Sequence, residues 1–286
     1  AMAASLVTLV GGAVFAGEGA MSEVFFDGFS YPYFPGFRRY IPALAFPAFF
    51  LFVGYIYKLL SNDEREDAAK WPSVAVAIAA FAYCVFSYFY VWTTAVAWAG
   101  CFGLLFIFFL PGAFKRGWLA ISAAAAGCGI ALIPYALLLS RRSTTMDEVQ
   151  LLSATHAPDL SRPPEYVAAL VVIVIVVGLL AKIFDPLNTK VLFVLSLALS
   201  VFVVFNQQII TGRSLQPIHY QVFIGNYVAG LAFILTIGML FRTDRFERAR
   251  ALTATAAALS VIAVLWGGIE CFYTVRVLDD VNVLRD

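Results

Sequence analysis

Apolar runs of bilayer-crossing length recur along this chain, and they constrain its fold more than any other feature. A helix needs about 20 apolar residues to cross the hydrocarbon of a membrane. Eight stretches meet that requirement, approximately Tyr40 to Leu60, Trp71 to Tyr88, Val91 to Leu110, Trp118 to Leu139, Tyr166 to Ile183, Val191 to Ile210, Gln221 to Phe241 and Ala251 to Gly268. A ninth, Ala3 to Ala16, is short. Lipid offers the backbone no hydrogen-bond partners, so each run must be helical. The expected fold is an all-α polytopic bundle of about eight to nine transmembrane helices, forming one membrane domain over residues 1–286. Composition points the same way: 62% of the residues are hydrophobic and 13% charged, against roughly a quarter charged in a soluble domain.

The stretch from Trp71 to Leu110 is too long for one crossing. The cluster Tyr88-Phe89-Tyr90-Val91-Trp92-Thr93-Thr94 therefore reads as a tight turn between two helices, at an interface where tyrosine and tryptophan are enriched. Pro42 and Pro47 share one span and predict a kink. Glu270 is expected just outside the hydrocarbon at the end of the last span. The opening Ala1-Met2-Ala3 enters an apolar run directly, unlike a secretory signal, which suggests a trimmed chain or a fragment of a longer one.

Nine crossings assign the loops near Lys70, Arg116, Lys190 and Arg250 to one side, with 11 of the 19 lysines and arginines. Those loops are also the shorter ones, so the positive-inside rule makes that side cytoplasmic. Four features then share the opposite face: the segment Glu18 to Arg39, the Tyr88 to Thr94 turn, the loop at about 140–165, and the polar stretch Asn206 to Tyr220. The net charge of +1 and the absence of a basic run argue against nucleic acid as a partner. Cys84, Cys101, Cys128 and Cys271 have unrelated spacings, so neither a metal site nor a disulfide framework is expected.

The most concentrated chemistry lies in Asn206, Gln207, Gln208, Thr211, Arg213, Gln216, His219 and Tyr220, at the end of an apolar run. Amides at a bilayer edge cost free energy unless partnered, so this density reads as a lined cavity. Its donors and acceptors suit a hydroxyl-rich or phosphorylated ligand. Arg213 offers a bidentate phosphate contact and His219 a general base. The competing reading is a wetted helix end whose amides cap their own backbone.

A second group, His156, Asp159 and Arg162 with Glu165, sits on a proline-stiffened loop. It reads either as the rim of a substrate site or as a solvated connection with an Arg162 ion pair to Asp159 or Glu165. Glu18, Glu23 and Asp27 are candidate general bases in the first loop. Loop carboxylates can also hold a divalent cation, although their spacing does not demand one. No serine-histidine-aspartate order, phosphate-cradling glycine loop or His-Glu-x-x-His motif is present.

Three strings, SYFYVWTT (Ser87 to Thr94), MDEVQLLSATHAPDLSRPPEY (Met146 to Tyr166) and FNQQIITGRSLQPIHY (Phe205 to Tyr220), resemble those of multi-span bacterial membrane glycosyltransferases of the GT-C-like kind. The resemblance covers about 130 residues, from the third span to the eighth. It implies a helical protein of the bacterial inner membrane that takes a sugar from a polyprenyl-phosphate donor on the periplasmic face. It also implies a catalytic carboxylate in an early non-cytoplasmic loop, here Glu18, Glu23 or Asp27, none of which stands in a paired acidic motif. If the chain is a C-terminal half, that carboxylate lies outside it.

Other readings stay open. They are a transporter or flippase for a lipid-linked or polar solute, a non-catalytic subunit that scaffolds a membrane protein partner, and an acyltransferase using His156 or His219. Membrane lipids are partners under all of them.

Overall fold

The computed structural model describes residues 7, 8, 10, 20, 24, 25, 40–61, 70–141, 143, 153–214, 216–241 and 249–283. Its long helices are α1 (Tyr40–Ser61), α2 (Trp71–Ser87), α3 (Phe89–Phe109), α4 (Pro111–Ser140), α5 (Pro163–Leu180) and α6 (Thr189–Phe205). Two four-residue helices follow, α7 (Gln208–Thr211) and α8 (Pro217–Tyr220). The π-helical turn Gln221–Gly225 then leads into α9 (Asn226–Leu240), and α10 (Ala249–Val283) closes the series. The strands β1 (Ser153–Ala154) and β2 (Arg213–Ser214) pair antiparallel, Ser153 opposite Ser214 and Ala154 opposite Arg213.

Among the described residues seven helical stretches are long and apolar enough to cross a membrane, and α2, at 17 residues, is a shorter apolar helix. The 21 residues of α3, at roughly 1.5 Å each, match a hydrocarbon core of about 30 Å. The expected span Ala3 to Ala16 falls largely outside the described residues.

Helix ends follow local chemistry. Tyr88, extended at φ −154° and ψ 120°, alone separates α2 from α3. The predicted turn therefore shrinks to one residue, and Phe89 to Thr94 form the first turns of α3. Within those turns the Thr93 and Thr94 hydroxyls donate to the carbonyls of Phe89 and Tyr90. Pro111 and Pro163 start α4 and α5, where a missing N–H costs nothing. Asn188 caps α6, its Oδ1 accepting from Lys190 N at 2.9 Å.

Helix α6 is the hub, packing against α3, α5 and α9, while α1 packs on α2 and α2 on α4. Between α1, α3 and α6, Trp98 and Phe102 stack at 5.1 Å, and Phe193 meets Tyr57 edge-on at 4.8 Å. In lipid, where burial of apolar surface gives little drive, such close ring packing is a main source of helix association. Helices α4 and α10 are peripheral and present Leu119, Ile130, Leu138, Ile262 and Leu265 outward.

Glu270, near the end of the last span, is enclosed by protein. It lies inside the apolar stretch Thr253–Tyr273 and is fully buried. Trp266 Nε1 (3.0 Å) and Ala20 N (3.3 Å) donate to its carboxylate. Two donors offset the cost of holding a carboxylate away from water, which a count of apolar residues along one helix does not register.

Candidate functional site

Chain reversal at each span brings the α2–α3 junction, the segment before α5 and the α6–α9 connection to one end of the bundle. That connection is irregular because its residues cannot continue α6. Asn206 and Gln207 interrupt the helix, and Gly212 ends α7 in the left-handed conformation at φ +69°. A side chain on Gly212 would be strained there and would also meet the His156 ring at 3.0 Å. Gln216 holds φ +27° just before α8. At Gly225, in the π turn, a Cβ would stand 2.9 Å from Tyr220 O and 3.2 Å from the Phe205 ring, so glycine permits the close approach of α6.

One group of contacts fastens the 153–165 segment to the end of α6. Asn206 Nδ2 donates to Glu165 Oε1 at 2.8 Å, and Asn206 Oδ1 accepts from Asp159 N at 2.9 Å. Gln208, buried, donates from Nε2 to Ala157 O at 3.2 Å. His156 Nδ1 lies 3.0 Å from Ile209 O. A carbonyl only accepts, so Nδ1 carries the proton. Thr155 N donates to Gly212 O, extending the β1–β2 pair.

Within the clasp Arg162 Nε donates to Asp159 Oδ2 at 2.8 Å, so Asp159, not Glu165, takes the expected ion pair. Burial pushes the Asp159 carboxyl up, but hydrogen bonds from Arg162 and Ser161 and the guanidinium charge outweigh it, leaving it below its ordinary value. Glu165, expected on the loop, is instead buried in the first turn of α5. There its Oε2 accepts from Arg162 N at 3.2 Å. An acid three residues into a helix is the position that can satisfy an orphan N–H, and that was its readable signal.

A second group joins the start of α3 to α8. Tyr88 OH lies 2.9 Å from His219 Nδ1, and Tyr90 OH donates to Gln216 Oε1 at 3.3 Å. Gln207 Nε2 donates to Tyr220 OH at 3.1 Å, and Tyr220 OH lies 2.9 Å from Thr93 Oγ1. Thr93 donates to Phe89 O at 3.0 Å. With that proton committed, Tyr220 must donate to Thr93, giving a directed relay from Gln207 through Tyr220 and Thr93 to a backbone carbonyl. Tyr90 sits 4.8 Å from both the His219 and Tyr220 rings.

Adjacent amides thus divide the work: Asn206 reaches the clasp and Gln207 the aromatic group. Of the residues singled out in the sequence, Asn206, Gln207, Gln208, Gln216, His219, Tyr220, His156, Asp159 and Arg162 converge on this end. Thr211 and Arg213 are exposed at its surface, where Thr211 Oγ1 accepts from Arg213 N at 3.3 Å. Glu18, Glu23 and Asp27 lie outside the described residues. Tyr88, Tyr90 and Thr93, which sequence favoured as an interface belt, are tied into the site by hydrogen bonds. Among the described residues no group of three or more His, Cys, Asp or Glu side chains could hold a metal ion.

These features define an all-α, multi-pass membrane protein with a hydrogen-bonded polar assembly at one end. Comparison with known protein families, curated proteins and solved structures finds no match for the chain.

Proposed function

We propose that this chain is a membrane glycosyltransferase, or the membrane part of one, that transfers a sugar from a polyprenyl-phosphate donor on the periplasmic face of a bacterial inner membrane. The observation that carries this reading is the convergence of 88–93, 153–165 and 206–220 on one end through amide, hydroxyl and imidazole hydrogen bonds. Neutral donors and acceptors of this kind match sugar hydroxyls, and the exposed Arg213 beside them suits a phosphate. A lipid-linked donor presents its headgroup at the end of a membrane-spanning bundle, and this assembly gathers at one end of the helices. In an inverting transfer a carboxylate accepts the acceptor's hydroxyl proton as the lipid phosphate departs. Glu18, Glu23 and Asp27 are the candidates for that step, and His219 is a further proton acceptor.

The test is transfer from a polyprenyl-phosphate sugar in proteoliposomes holding the full chain. Arg213→Ala and Gln207→Ala should abolish product while the protein stays folded; unchanged turnover in both would remove this site assignment. The interruption of α6 at Asn206 favours transport as a second reading, because broken helices line solute sites in many transporters. Substrate crossing the vesicle membrane with no covalent product would establish it.

A further inference from the structure

The opposite end of α6 and α9 holds a feature the polar assembly does not use. A cleft of about 870 Å³ opens where the α5–α6 loop, α6, the end of α9 and the start of α10 meet. Pockets that enclose a single small molecule span roughly 300–1,000 Å³. Most of its lining is apolar, including Phe193, Leu235 and Leu259 from three helices. The polar side chains Asn188, Lys190 and Thr253, near the starts of α6 and α10, also line it. The one carboxylate among the described lining residues, Asp185, accepts from Leu187 N at 2.9 Å and so serves its own turn. In sequence, the stretch between Met239 and Thr253, both of which line the cleft, carries Arg242, Arg245, Arg248 and Arg250 against Asp244 and Glu247.

A largely apolar slot between helices that opens beside Lys190 matches an amphiphile in chemistry. Basic pockets between transmembrane helices bind anionic lipid headgroups. We propose that this cleft holds one phosphate-headed membrane lipid, its phosphate at Lys190 and its tail between α6, α9 and α10. The inference stands apart from the sugar-transfer reading, since it concerns the other end of the bundle.

Gly238 supplies the sharpest test. It lines the cleft, and a Cβ added there meets nothing within 4 Å, so the backbone leaves room for a side chain at this wall. The full chain would be purified, delipidated in detergent and titrated by native mass spectrometry with phosphatidylglycerol, phosphatidylcholine, a prenyl phosphate and inorganic phosphate. One phosphatidylglycerol should bind in preference to phosphatidylcholine. Lys190→Ala should weaken it about fivefold with little effect on phosphatidylcholine. Gly238→Leu should remove the single adduct for either lipid. Displacement of phosphatidylglycerol by the prenyl phosphate supports the same site with a different tail. Equal retention of the two phospholipids by the native protein, or displacement by inorganic phosphate alone, overturns the proposal. So does an unchanged adduct in folded Gly238→Leu. Should that variant fail to fold, an unchanged lipid preference in Lys190→Ala overturns it equally.

Discussion

Asn206 and Glu165 meet at 2.8 Å, the amide nitrogen at the end of α6 donating to a buried carboxylate in the first turn of α5. The same amide accepts from Asp159 N, so one side chain fixes both the helix pair and the loop that crosses it. Replacing it with alanine removes a hydrogen bond to a charged group and leaves Glu165 short of a donor. We expect Asn206→Ala to lose about 1.5–3 kcal/mol in a reversible detergent unfolding titration. Asn206→Asp should lose more, because it sets a second carboxylate against the first. A loss under half a kcal/mol for both would show that the contact carries no stability.

Gly212 offers a separable pair of costs. At φ +69° any side chain is strained by roughly 1–2 kcal/mol, and the His156 ring stands 3.0 Å from the added carbon. Gly212→Ala should therefore destabilise by more than the backbone cost alone. In a double-mutant cycle, His156→Ala should relieve the ring contact and leave the backbone share intact. Strict additivity of the two changes would contradict this geometry.

The Asp159 to Arg162 pair predicts a direction in pH. Asp159 titrates below its unfolded value, so its stabilisation is present above the usual aspartate pKa of about 3.9 and fades as pH falls through the folded value. The stability difference between the native protein and Asp159→Asn should be constant near neutrality and vanish in strong acid. A difference that persisted there would place the effect outside this carboxylate.

Tyr220 is the middle of the relay from Gln207 to Thr93. Tyr220→Phe removes the acceptor of a part-buried amide and should cost about 1–3 kcal/mol. Thr93→Val in that background should add less than it does alone, since the shared bond is already gone. Thermal unfolding of the two single variants and the double variant measures both.

Sidedness is open to labelling. In a background without the four native cysteines, Leu160→Cys at the exposed clasp and Leu187→Cys at the exposed α5–α6 loop mark opposite ends of the bundle. An impermeant thiol reagent applied to intact cells should reach the first and miss the second. The reverse pattern would overturn the positive-inside assignment.

Much of this architecture is legible along the chain, for a physical reason. A backbone in hydrocarbon must satisfy its own hydrogen bonds, so each long apolar run can only be a helix, and alternation of helices assigns every connection to an end. Alternation alone brings the residues around Tyr88, His156 and Asn206 to one face. It could not tell which would touch. Tyr88 and Tyr90 read as membrane anchors because aromatic rings at a span end usually are. Their bonds to His219 and Gln216 exist because the α6–α9 connection folds back across the start of α3.

The amino-acid order alone determined the all-helical, multi-pass class and the location of its polar chemistry, since both follow from the transfer cost of each segment taken singly. The burial of Glu165 and Glu270, the split duties of Asn206 and Gln207, and the amphiphilic cleft beside Lys190 were decided by tertiary structure. Each depends on a donor, ring or void supplied by a segment distant in sequence, and the free energy of a pair is not a property of either residue by itself.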